Sequence, residues 1–143
     1  MAGQTVTAEL YAEVQHFYAR QMQALDNRVF KVYADSFTED GTFQHTPGTE
    51  PARTRAGIKA ELERFHEQYR NDPVQKRHYF NQIVLDANPD GTWTSTVYAL
   101  VLRTRPGADR PEVWPSCVVH DVLVRDADSF LIKSRHIDYD QQI

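Results

Sequence analysis

Six histidines, one cysteine and a scatter of carboxylates are the groups in this 143-residue chain able to do chemistry, and their spacing narrows what that chemistry is. No His-x-x-x-His interval and no paired-carboxylate spacing is present, so no metal site is expected. Cys117 stands alone. It can neither close an intramolecular disulfide nor join a thiolate cage, and in the apolar run "VWPSCVVHDV" it reads as a buried, inert thiol. Acid–base work remains, and spacing alone does not choose among the carboxylates and histidines that could share it. Asp26, in "ALDNRVF", His45, in "GTFQHT", and His78, in "KRHYFN", are among them. A carboxylate that accepts an imidazole N–H fixes the tautomer and raises the basicity of the ring, leaving the other nitrogen free to take or deliver a proton. Ordinary roles compete with this one. Asp26 is also a good helix-ending turn residue, and His78 follows Lys76 and Arg77 on what could be a solvated strand end. His16 and His66, on helices and without i+4 partners, are expected at the surface.

The elements that must position these groups are written in the hydrophobic periodicity. Leu10, Val14, Phe17, Gln21 and Leu25 recur at three- and four-residue spacing behind Thr7, a good N-cap, which predicts a helix over 7–25. "LDNR" breaks it, because Asp and Asn compete for backbone hydrogen bonds. Phe30, Tyr33 and Phe37 predict a second, shorter helix that ends at the acidic turn "EDG", followed by a short strand, "GTFQHT". Ile58, Leu62, Phe65 and Tyr69 predict a third helix. Beyond "RNDP" the period changes, and four runs rich in β-branched and aromatic residues follow: "QKRHYFNQIVLDA", "TWTSTVYALVLRT", "VWPSCVVHDVLVR" and "SFLIKSRHIDY". "NPDG" and "DADS" mark tight turns between them and "RPGADRPE" a longer loop. The order describes an α+β fold with helices on one face of a largely antiparallel sheet.

Composition sets the outer limits. A content of 41% hydrophobic residues suits one compact domain over 1–143. A net charge of −4 without a Lys/Arg block argues against nucleic acid as a partner. Apolar runs are only strand-sized and no signal-peptide pattern opens the chain, so neither a membrane span nor export is expected, and a cytoplasmic location follows by default.

The element order, with "FYARQMQALDNRVFKVYADSFTEDGTFQ", "TRAGIKAELERF", "RHYFNQIVL" and "FLIKSRHIDYD", resembles the nuclear transport factor 2-like superfamily over nearly the whole chain. The similarity is to its SnoaL-like branch, with scytalone dehydratase, bile-acid dehydratase and small polyketide-pathway cyclases. The resemblance implies a cone-shaped, curved antiparallel or mixed sheet with three helices from the N-terminal half on its concave face and an apolar pocket inside. It implies that Asp26 and His78 form a catalytic dyad, since those dehydratases carry an aspartate and a histidine at matching positions. It also puts His45 near the pocket wall.

Tyr18, Phe30, Tyr33 and Phe65, on core-facing stripes, are expected to line that pocket, with Arg103 near the position of a second histidine in scytalone dehydratase. His120 and Asp121 are adjacent on a strand and face opposite ways. His120 is carried as a pocket residue, with a structural hydrogen bond as the alternative. Arg135 and Asp138 are expected to tie strand ends together. The water-holding tyrosines of scytalone dehydratase are absent, one position being Leu25. A cofactor-free dehydratase, cyclase or isomerase acting on a small aromatic or polyketide-like molecule follows. The alternatives are a non-catalytic binding or accessory subunit, as in ring-hydroxylating dioxygenases, and an epoxide-opening enzyme. The resemblance further implies a homo-oligomer, a dimer before a trimer.

Overall fold

A computed structural model describes residues 5–141. Helix α1 spans Ala8–Asp26, and Thr7 caps it as the sequence predicts, its Oγ1 accepting from the Leu10 N–H at 3.0 Å. Val14, Phe17, Gln21 and Leu25 are buried along one stripe. The helix ends at Asn27 and Arg28. Arg28 takes φ 60°, a left-handed turn made without glycine.

Helix α2 is shorter than its sequence pattern, Phe30–Asp35, and Phe37 opens strand β1 (Phe37–Gln44) instead of closing the helix. Phe37 pairs with Ile132 and is fully buried, so tertiary burial overrides the helical spacing. "EDG" is accordingly no turn. It lies within β1 at an irregularity in the pairing, where Gly41 packs so close that a Cβ would sit 3.0 Å from Phe37 Cβ and Thr38 O. A two-residue strand, β2 (Ala52–Arg53), carries no sequence signal of its own. Helix α3 (Thr54–Glu67) buries Ile58 and Leu62 and stops before Tyr69.

Strands β3 (Gln75–Ala87), β4 (Trp93–Thr104), β5 (Glu112–Asp126) and β6 (Ser129–Tyr139) follow the four predicted runs closely and pair in an antiparallel meander. The whole sheet has the order β2-β1-β6-β5-β4-β3, with β1 parallel to β6, and is mixed, curved and unclosed with the helices packed on it. Bulges help to bend it. One falls between Asn81 and Val84, with Gln82 at φ 55°, and another at Lys133, between Ile132 and Ser134. Each extra residue also reverses which side chains face inward. On β3 the burial passes from Lys76, His78 and Phe80 to Ile83 and Leu85; on β6 it passes from Phe130 and Ile132 to Arg135. Among the described residues no helix is long and apolar enough to cross a membrane.

Candidate active site

Between the helices and the inner sheet face lies a cavity of about 220 Å³, bordered by α1, α2, α3 and strands β1 and β3 to β6. Its wall is chiefly apolar and aromatic, with Leu25, Phe43, Leu62, Phe65, Phe80 and Val101 among its residues.

Asp26 and His78 meet at one side. Asp26 is the last residue of α1, and its side chain turns across to β3. Oδ1 lies 2.5 Å from His78 Nδ1, and Oδ2 accepts the His78 backbone N–H at 3.1 Å. The carboxylate therefore grips both ring and backbone and makes Nδ1 the protonated nitrogen. Nε2 makes no hydrogen bond among the described residues, and the ring lines the cavity. The Asp26 side chain is 6% exposed and that of His78 18%.

Other basic side chains border the same space. His45 follows β1, its ring edge-on to Phe65 at 4.5 Å, and its buried Nδ1 has no partner among the described residues. Burial, with Lys76, His66 and His78 nearby, pulls its pKa down to about 4, so the ring is neutral near pH 7. Lys76 lies over the rings of Phe65 and Tyr69, 4.8 and 4.3 Å from their centroids. Burial, helped by Arg103 and Arg28, lowers it to about 8. Arg103 faces Lys76 directly across the β3–β4 ladder and leaves a buried Nε without a partner among the described residues, while its Nη2 reaches Glu112 at 3.4 Å. None of the described residues lining the cavity is Asp or Glu.

Another part of the wall is a buried polar network. The Arg135 guanidinium donates from Nε and Nη2 to Asp121, each at 2.8 Å, from Nη2 to Gln21 Oε1 at 2.8 Å, and from Nη1 to the Tyr33 hydroxyl at 2.9 Å. Tyr18 donates to Asp121 Oδ2 at 2.6 Å and lies 2.8 Å from Ser95 Oγ. Burial raises the Tyr33 pKa against the opposing pull of Arg135, so the phenol keeps its proton. A guanidinium carries five N–H donors. Those bonds use four, so one Nη1 N–H, like the Tyr33 O–H, has no acceptor among the described residues.

The structure thus brings Asp26, His78, His45, Tyr33, Phe65 and Arg103 to the cavity or its edge and sends other expected residues elsewhere. Tyr18 is buried behind the cavity, its hydroxyl committed to Asp121, and Phe30 packs against His66, ring centroids 4.7 Å apart, without lining the space. His120 is on the outer sheet face, since Asp121 takes the inner one. It pairs there with Asp138, next to the end of β6, so Asp138 ties that strand end to β5, while Arg135 links the same two strands from the interior through Asp121. His66 is half-buried and lines the cavity, its Nδ1 2.8 Å from Leu62 O; its signal was the place one residue after Phe65. Cys117 is buried, with its pKa pushed up to about 11 by burial, as expected of an inert thiol. No His-x-x-x-His interval or paired-carboxylate spacing joins them in the sequence, yet the β5–β6 pairing gathers His120, His136 and Asp138.

Comparison with solved structures places the chain among proteins of this architecture. ActVI-ORFA from Streptomyces coelicolor is 51% identical, covers 92% of this chain and 97% of its own, and superposes with a TM-score of 0.86. A Catenulispora acidiphila protein solved in complex with S-DNPA is 50% identical over 95% of this chain and 97% of its own, TM-score 0.85. Aln2 from a Streptomyces species is 31% identical over 96% and 95%, TM-score 0.85. No protein of curated function matches. The model of the SnoaL-like domain matches residues 6–136, and the chain belongs to that family, within the nuclear transport factor 2-like superfamily.

Proposed function

We propose that the protein is a cofactor-independent acid–base enzyme, a dehydratase or cyclase, which enolises a small, largely planar aromatic or polyketide-like substrate held in the cavity. The observation that carries this is the Asp26–His78 pair, with Nδ1 committed to the carboxylate and Nε2 unspent beside an apolar space. Helix stability does not explain Asp26. A carboxylate at a helix C-terminus is disfavoured by the macrodipole, and this one instead serves His78.

In the proposed reaction His78 Nε2 takes a proton from carbon next to a carbonyl, and the C–H electron pair moves onto the carbonyl oxygen. The Tyr33 O–H and the free Arg135 N–H are the donors for that developing charge. The imidazolium then returns its proton. If it goes to a β-hydroxyl, the C–O bond breaks and water leaves; if the enolate carbon attacks a second carbonyl, the proton goes to the new alkoxide and a ring closes. Lys76 and Arg103 stand directly opposite each other, an unfavourable pairing in a sheet; Glu112 meets Arg103 from outside the cavity, and no Asp or Glu among the described residues lines the cavity itself. They suit a ligand with anionic or electron-rich oxygens. The ligand-bound relative supports a small-molecule occupant. Epoxide opening would need a second carboxylate facing the cavity, and an accessory subunit would need no open space reaching His78.

The test is solvent exchange. In deuterated water, a planar aromatic ketone lacking the leaving group should exchange its α-hydrogen faster with protein than without, and the excess should vanish in His78→Gln. An analogue that binds in the cavity but shows no catalysed exchange rules out enolisation.

A further inference from the structure

The outer sheet face holds a cluster that the proposed chemistry does not use. His120 on β5 stands directly opposite His136 on β6, and Asp138 follows two residues later on the same face, opposite Val118. The two imidazoles stack nearly parallel, 14° between planes and 4.4 Å between centroids. Both Nε2 atoms approach one carboxylate oxygen. Asp138 Oδ2 is 3.1 Å from His120 Nε2 and 4.0 Å from His136 Nε2, and the three ligand atoms lie within 4.8 Å of one another.

One carboxylate oxygen accepting from His120 does not explain the second ring, which at 4.0 Å is beyond hydrogen-bond reach. Two imidazole nitrogens and a carboxylate oxygen gathered within 4.8 Å of one another are instead the donor set of a borderline divalent metal. A tetrahedral zinc with bonds of about 2.0–2.1 Å separates its ligands by roughly 3.3 Å. The existing gaps bracket that value, and turning the stacked rings of the half-buried His120 and the exposed His136 out of parallel closes the site. The β5–β6 ladder fixes the three Cα positions, which limits the ordering cost of binding.

We propose that His120, His136 and Asp138 form a zinc-class site on the outer face, across the sheet from the cavity, with solvent completing the coordination. Residues from neighbouring strands supply all the protein ligands, so the bound ion would clip β5 to β6 and stabilise the folded chain.

Isothermal titration of Zn²⁺ alone into chelator-stripped, tag-free, full-length protein tests this. One equivalent should bind per chain, with at least tenfold weaker binding in His136→Ala and in Asp138→Asn, and unchanged binding in His16→Gln. The melting temperature should rise with zinc in the parent and not in His136→Ala. Cobalt should give the visible band of a low-coordinate nitrogen–oxygen site, lost in the same variant. Circular dichroism of these exposed-site variants checks that each is folded. Failure to bind a stoichiometric equivalent, or binding undiminished in folded His136→Ala, would overturn the site.

Discussion

At the scale of single residues, the proposed catalytic apparatus divides between a base and the group that orients it. His78→Gln removes the only part of the pair that can accept a proton from carbon, whereas Asp26→Asn keeps a hydrogen-bonding side chain of similar size and loses the charge. Asparagine can accept only one of the Nδ1–H and the His78 backbone N–H, its amide N–H facing the other, and it no longer stabilises the imidazolium formed after proton transfer. Turnover should therefore fall by roughly 10²-fold or more in His78→Gln, with a smaller loss in Asp26→Asn and little change in ligand affinity in either, because neither change alters the apolar wall. Steady-state kinetics beside a ligand-binding titration reads both quantities. Normal turnover in a folded His78→Gln protein would remove the imidazole from the mechanism.

At the scale of elements, the sheet register decides what the residues can do, and much of that register is invisible in the sequence. The element runs were legible: β3 coincides with "QKRHYFNQIVLDA", and Thr7 caps α1. So was the meeting of Asp26 with His78, through the family resemblance and not through spacing, since 52 positions separate them. Arg135 was not. Strict alternation from Phe130 and Ile132 would turn it outward and bring His136 and Asp138 inward, but the extra residue Lys133 reverses the parity. The same bulge that buries Arg135 thus creates the outer histidine cluster. Phe37 and β2 escaped for a related reason, their pairing partners being settled by the folded sheet and not by local pattern. The ladder also puts Ser95, Asp121 and Arg135 in one row across three strands, all buried. A prediction about stability follows from that row. Asp121→Asn leaves the Arg135 charge buried without its counter-ion and should cost about 3–5 kcal/mol. By contrast, the Lys31–Asp35 pair is largely solvated, and Lys31→Ala should cost under about 1 kcal/mol. Urea unfolding compares the two, and similar small losses would mean that the inner network is not what holds β5 and β6 to the helices.

At the scale of the whole molecule, a basic cavity inside a chain of net charge −4 makes folding stability depend on pH in a definite direction. His45 is the clearest reporter. Its pKa is held near 4 by burial and by the neighbouring Lys76, His66 and His78, against an ordinary value near 6.5. Between those values the unfolded chain binds a proton at this position that the folded chain refuses. Stability from this residue is therefore present above pH 6.5 and is lost as pH falls towards 4. The separation corresponds to about 3 kcal/mol at roughly 1.36 kcal/mol per pH unit. His45→Gln keeps a polar side chain and removes the titration. Urea midpoints at about pH 6.5, 5 and 4 should fall more steeply in the parent than in the variant, and subtraction cancels the carboxylates that titrate in both. Parallel midpoint curves would mean that the folded protein accepts the proton as readily as the unfolded chain, and that the cavity wall around His45 opens to water in acid.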